Sequence, residues 1–191
     1  MGRERKFNTG DLFHETKKLV IQAGYEGFTI GQLATQLGVT RAAIYKYYQN
    51  KDELLLDFMI EEMRNTIESL SSIPTELPFL EKIDILLKKI FASKELHLIL
   101  GMQHVISTKG APLLEAKKEK LSSMHGELYR PLIHIVHQGK NEGHIEKDMP
   151  DELLLGFIFQ SISIPNHSGM EDEQVLNYTK KLILNGIQQN K

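Results

Sequence analysis

Arg41, Ala42, Tyr45 and Lys46 fall on one side of a short helical pattern, and Ile44 falls on the other. With Ala43 small enough to let the backbone approach a phosphate, these outward groups form a face suited to reading a groove of duplex DNA. An ordinary solvated helical hairpin could carry the same residues, so spacing alone leaves both readings open. Other chemistry finds less support. Among eight histidines, His134 and His137 are three apart and His97 and His104 seven apart, but no acid at ligand spacing completes a set with either pair. Structural or solvated histidines are the simpler reading. The chain has no cysteine, which removes disulfides, thiolate zinc sites and thiol nucleophiles. Nucleophile elbows, phosphate loops and dinucleotide fingerprints are absent as well. The expectation is a protein that is not an enzyme and carries no cofactor and no metal.

The elements that must hold the reading face are legible in the 3.6-residue periodicity of the apolar residues. Leu12, Phe13, Thr16, Leu19, Val20 and Ala23 form one stripe, with Asn8 or Thr9 able to cap it and Gly24 placed to stop it. Thr29 precedes Ile30, Leu33, Ala34 and Leu37, a helix of about two turns that Gly38 can close in the left-handed conformation. Thr40 caps a third helix running from Arg41 to about Tyr48, which directs Ile44 and one of Tyr47 or Tyr48 inward; the stripe assigns Tyr48 to the core. Two short helices joined by Gly38-Val39-Thr40 are the sequence form of a helix-turn-helix, here about residues 29–48. Ala34 is small where the helices cross, and Val39 with Ile44 fills the angle between them. Asn50 then caps a fourth helix, with Asp52 and Glu53 in its first turn, where the helix dipole favours them. Leu54, Leu55, Phe58, Met63, Ile67 and Leu70 are its stripe.

The charge follows the same division. The net charge of -2 combines a basic start, eight Lys or Arg against four acids in residues 1–51, with a remainder that carries 15 against 21. A basic segment joined to an acidic one suggests that the first meets a polyanion and the second does not. At 41% hydrophobic and 25% charged, the 191 residues have an ordinary globular composition. Charges, Gly or Pro interrupt every apolar stretch well before the roughly 20 residues a membrane span needs. The polar start MGRERKFNTGD is unlike a signal sequence. A cytoplasmic protein with no membrane partner is expected.

The run Gly24-Tyr25-Glu26-Gly27-Phe28-Thr29-Ile30, with Leu33-Ala34, Leu37-Gly38-Val39-Thr40, Ile44-Tyr45-Lys46-Tyr47-Tyr48 and Asn50-Lys51-Asp52-Glu53-Leu54-Leu55, closely resembles the DNA-binding domain of the TetR family of transcriptional regulators. The resemblance covers about the first 60 residues. It implies an all-α chain: a three-helix helix-turn-helix DNA-binding domain at 1–50, then a helical ligand-sensing and dimerisation domain at 51–191. By position it implies Thr29 and Thr40 as phosphate-binding helix starts, Arg41, Ala42 and Lys46 as base-facing groups, Tyr45 and Tyr47 as phosphate or base contacts, and Lys51 as a further phosphate contact. Arg41-Ala42-Ala43 and Tyr47-Tyr48 depart from the family's common forms, so no operator sequence is inherited. Arg3, Arg5 and Lys6 are either an arm into the minor groove or a plain basic tail.

In the remainder, Ser71-Ser72-Ile73-Pro74-Thr75-Glu76-Leu77-Pro78 reads as a linker, followed by helices at about 78–92, 94–107, 111–138, 150–163 and 172–189. Gly139-x-x-x-Gly143-His144-Ile145 leading into Asp148-Met149-Pro150-Asp151 resembles the family's turn before its penultimate helix. The stretch from Leu153 to Phe159 is apolar all round and must be covered on two sides. One cover is its own core. The other is either the same helices of a second copy, with Leu154, Phe157 and Ile158 meeting Leu176, Ile183 and Ile187, or a neighbouring helix of the same chain. A ligand pocket among the central helices is implied by the resemblance, with Met102, Gln103, His125, Tyr129 and Phe159 as candidate lining; plain core is the competing reading of each. The expectation is a homodimeric repressor that binds a pseudo-palindromic operator and is released by an apolar or amphipathic small molecule. The alternative is a helical dimeric interaction module that does not bind DNA.

Overall fold

The computed structural model describes residues 7–187, with side chains to 186, and every regular element among them is helical. In chain order these are α1 (Thr9–Gly27), α2 (Ile30–Gln36), α3 (Arg41–Tyr45), α4 (Lys51–Ser71), α5 (Phe79–Ala92), α6 (Lys94–Gly101), α7 (Pro112–Asn141), α8 (Asp151–Gln160) and α9 (Asp172–Ile187). Short 3₁₀ turns follow α6 and α8. Packing groups the chain into two compact units, one of residues up to Met63 with Glu95–Ser123, the other of Arg64–Lys94 with the residues from Met124 onward. Residues 51–63 and Glu95–Ser123 thus group with the N-terminal helices.

In the first unit, Asn8 caps α1 through its side-chain oxygen, which accepts from the Asp11 N–H at 2.6 Å. Leu12, Thr16 and Val20 are buried along one stripe. At Gly24 the backbone turns to φ 67°, which breaks the helix, and one further turn leads to Phe28. The start of α4 is apolar nearly all round: Leu54, Leu55, Leu56, Phe58 and Met59 are all fully buried. Glu53, buried beside them, accepts from the Gln49 N–H while its own N–H donates to the Asn50 side chain, so both ends of the cap are satisfied. Lys117 on α7 donates to Asp57 and lies 3.8 Å from Glu53.

In the second unit, α5 packs on α9, and Asp84 receives both Lys180 and Lys88. These cations hold the Asp84 carboxyl below its ordinary range, Lys180 first. Gly139 lets α7 pass close to α5: a Cβ there would stand 2.6 Å from the Phe79 ring and from Ile145. The helix then closes at Gly143, φ 77°, with His144 N–H donating back to the Gly139 carbonyl at 2.8 Å. Lys140 joins α7 to the start of α8, donating to the Met149 carbonyl and to Asp151, both at 2.6 Å.

Candidate DNA interface

Thr29 and Gln32 form a reciprocal capping box at the start of α2, the threonine hydroxyl accepting from the Gln32 N–H and the Gln32 carbonyl oxygen accepting from Thr29. At the far end Val39 N–H donates to the Ala34 carbonyl at 2.9 Å and Gly38 N–H to Thr35 at 3.1 Å, the paired bonds of a Schellman close. They require the left-handed backbone that Gly38 adopts at φ 63°. The chain is thereby redirected at once into Thr40, whose hydroxyl caps α3 by accepting from Ala43 N–H. Ile44 is fully buried and Ala34 nearly so, and together they hold the crossing of α2 and α3.

That anchoring leaves Arg41, Ala42, Tyr45 and Lys46 exposed on the opposite side. Helix α3 is shorter than the sequence reading, ending at Tyr45 with Lys46 as its C-cap. Tyr48 N–H still makes an α-type bond to the Ile44 carbonyl, but Tyr47 N–H donates to the same oxygen in a tighter i→i−3 turn, and the chain turns from there to the α4 cap at Asn50. Tyr48 goes into the core, as its stripe position required. Tyr47 stays 42% exposed, with its ring edge-on to Phe7 at 5.7 Å.

Two cations on this surface are placed in ways the sequence did not reveal. The Arg41 guanidinium lies against the bare Cα of Gly31 in α2. Lys51 is half-buried: its ammonium donates to the Tyr25 carbonyl at 3.0 Å and stands 4.1 Å from the centre of the Tyr25 ring. The Tyr25 hydroxyl in turn donates to Asp52 at 2.8 Å. Burial, then the carboxylate beside it, pushes the Tyr25 phenol up to about 12. Lys51 therefore clasps the end of α1 to the start of α4. The basic residues Arg3, Arg5 and Lys6 lie outside the described residues.

The other expected site residues divide. Met102 and Gln103 form part of the 3₁₀ turn after α6 and belong to the first unit. His125, Tyr129 and Phe159 belong to the second, where Tyr129 and Phe159 meet edge-on at 5.3 Å. Of the residues expected at an intersubunit face, Leu154, Ile158 and Ile183 are instead fully buried inside the chain, and Leu176 is half-buried. The Ile187 side chain lies outside the described residues. Phe157 is 58% exposed, and with it Leu153, Tyr178 and Leu182. The four come as two i, i+4 pairs, 153 with 157 and 178 with 182, each one residue before a buried position. That offset was available in the sequence, but an all-round apolar helix does not say which of its faces its own core takes.

Among the described residues no group of three His, Asp or Glu stands together as a metal site, and no helix is long and apolar enough to cross a membrane.

Residues 12–58 match the family of bacterial regulatory proteins described as the tetR family. The chain is similar to the HTH-type transcriptional repressor AcnR of Corynebacterium jeikeium, 42% identical over 45 residues; the match spans 24% of each chain, about a quarter of that relative's length. Likeness of fold extends much further. A transcriptional regulator FadR from Bacillus subtilis, solved with stearoyl-CoA, superposes with a TM-score of 0.69 at 20% identity over 95% of this chain and 100% of that one. AibR, solved with isovaleryl coenzyme A and operator DNA, gives 0.71 at 19% identity over 94% and 97%.

Proposed function

We propose, on the premise that residues 12–58 match the tetR family of bacterial regulatory proteins, a homodimeric cytoplasmic repressor that binds a pseudo-palindromic operator and is released by an amphipathic acyl thioester. Its kin are transcriptional regulators and not enzymes. The observation that carries the reading is the outward face of α3, where Arg41, Ala42, Tyr45 and Lys46 are exposed because buried Ile44 fixes the other side. A guanidinium can pair with O6 and N7 of a guanine, and a methyl group suits the thymine methyl. We assign residues 1–50 to DNA binding and 51–191 to sensing and self-association.

Two copies would present two α3 helices to successive major grooves, about 34 to 36 Å apart or at a longer related spacing. The exposed Leu153, Phe157, Tyr178 and Leu182 are the apolar surface on which they would pair. The effector class is supported by the acyl-CoA molecules bound to FadR and AibR. Its action is proposed to run through α4, which begins at Lys51 beside the reading helix and continues to Ser71. Emptying an operator that is almost fully occupied demands a roughly 10⁴-fold preference of the effector for the non-binding form, or about 5.5 kcal/mol. A long acyl chain can bury enough apolar surface for that; a surface ion cannot.

The test is selection of a random duplex library by the pure protein under competitor DNA. Two inverted half-sites are expected. Stearoyl-CoA is then titrated by calorimetry with and without the selected duplex at saturation; operator must weaken its binding by the factor by which it weakens operator binding. Equal affinities would exclude that thioester as the inducer, and enrichment of no sequence would exclude the repressor.

A further inference from the structure

We infer that Gly31 is a specificity-determining residue of the reading head, because its bare Cα is the seat on which the Arg41 guanidinium rests. The inference depends on the DNA-reading role proposed above and deepens it. A Cβ built on Gly31 would stand 2.6 Å from Nη2 of Arg41, 2.8 Å from Nε and 2.9 Å from Cζ. No side chain tolerates such approaches, so only glycine leaves room for the group. Cζ, to which both nitrogens are bonded, is the farthest of the three, so the Nε–Nη2 edge of the guanidinium faces Gly31 and Nη1 points away from it.

A planar cation seated in this way keeps its Nη1 end turned away from Gly31. Among the described residues no hydrogen bond or ion pair engages the Arg41 guanidinium. It is held by shape alone, with its rotamers restricted and its donors unspent, which is the state that bidentate recognition of a base edge needs. Glycine is otherwise a poor choice at this position. It is the worst helix former after proline, and α2 is only seven residues long. The obstacle an added methyl group would meet is the flexible end of Arg41, so the fold can absorb the methyl by letting that side chain move. The consequence falls on where the guanidinium points and not on whether the domain folds.

Gly31→Ala, Arg41→Ala and the double variant are titrated against the duplex that the wild-type chain selects from a random library, and against every single-base-pair change in it. Gly31→Ala is expected to unfold no earlier than the wild type, to weaken the selected duplex roughly 2- to 12-fold, the equivalent of re-immobilising one long side chain on binding, and to flatten discrimination at the base pair that Arg41→Ala also flattens. In the Arg41→Ala background the same change is expected to do nothing. An equal loss in both backgrounds would show that the new methyl meets DNA directly, and unaltered discrimination with Arg41 present would show that the seat does not aim the group; either overturns the inference while leaving the selected operator in place. If the wild type selects no duplex, the repressor reading fails and the inference falls with it.

Discussion

The outward sides of α3 and of α8 with α9 are both open to water, yet they present opposite chemistry. The first offers a guanidinium, an ammonium and a phenol around one alanine. The second offers Leu153, Phe157 and Leu182, 64%, 58% and 71% exposed, with Tyr178 among them. Polar groups lose little by standing in water, so exposure of the α3 face is compatible with a head that is empty for part of its working life. Large apolar side chains in i, i+4 pairs on two helices are harder to leave uncovered, and such patches mark surfaces of association. The first has the chemistry of the polyanion contact proposed above, the second that of the proposed self-association.

The sharpest way to break this contrast is to put a charge on the apolar side. Phe157→Glu or Leu182→Glu should cost several kcal/mol of association by placing an unpaired carboxylate at a contact core, and light scattering should show monomers with unchanged helical circular dichroism. Ile158→Glu, at a fully buried position, should instead unfold the chain. A wild-type chain that is monomeric at micromolar concentration would refute the assignment of this face.

On the polar side, Arg41→Ala should cost roughly 1 to 3 kcal/mol on the selected duplex and relax preference at one base pair. Lys46→Ala tests the neighbouring cation in the same titration; equal losses on random and selected DNA for Arg41→Ala would mark it as a phosphate contact. Lys51→Ala should act in two ways because the ammonium has two kinds of partner. It should lower the salt slope of DNA binding by about one unit per half-site, and it should lower stability by about 1 kcal/mol through loss of the bond to the Tyr25 carbonyl and the contact with its ring. Thermal melting without DNA separates the second effect from the first.

The smallest effect concerns acid. Lys140 first, and His137 after it, hold the Asp151 carboxyl below its ordinary range. A carboxyl depressed in the folded state contributes stability that is complete above its unfolded pKa of about 3.9 and is lost as the pH falls toward the folded value. Lys140→Met should therefore lower the midpoint of denaturant unfolding at pH 7, by an amount that shrinks progressively as the pH falls below about 3.9. The loss should be under about 1 kcal/mol, since the pair is partly solvated. The α3 surface should show no such acid sensitivity in its stability.

The reading head was largely legible in the sequence because short-range rules build it. Gly38 between two apolar periods forces a close, Thr29 and Thr40 have few uses other than capping, and Ile44 alone in a polar run must go inward. Each of these acts within four or five residues, which is the range a sequence displays directly. The place where α3 ends was less legible, since it depends on the turn that carries the chain to the Asn50 cap of the following helix. The candidate sensing residues were the least legible, for an aromatic at helical spacing suits a core and a binding site equally.

By itself, then, the sequence determined the all-helical periods, the helix-turn-helix, the caps, the break at Gly24 and the identity of the outward α3 residues. Tertiary structure decided what depends on residues distant along the chain. It folded Arg41 back on Gly31 and tied Lys51 to Tyr25, because side chains of that length choose among neighbours that only the crossing of helices supplies. It also turned Leu154, Ile158 and Ile183 inward while leaving Leu153, Phe157 and Leu182 out. A period of 3.6 residues fixes which residues share a face, but when several faces are apolar only the packing of the other helices determines which of them becomes the core.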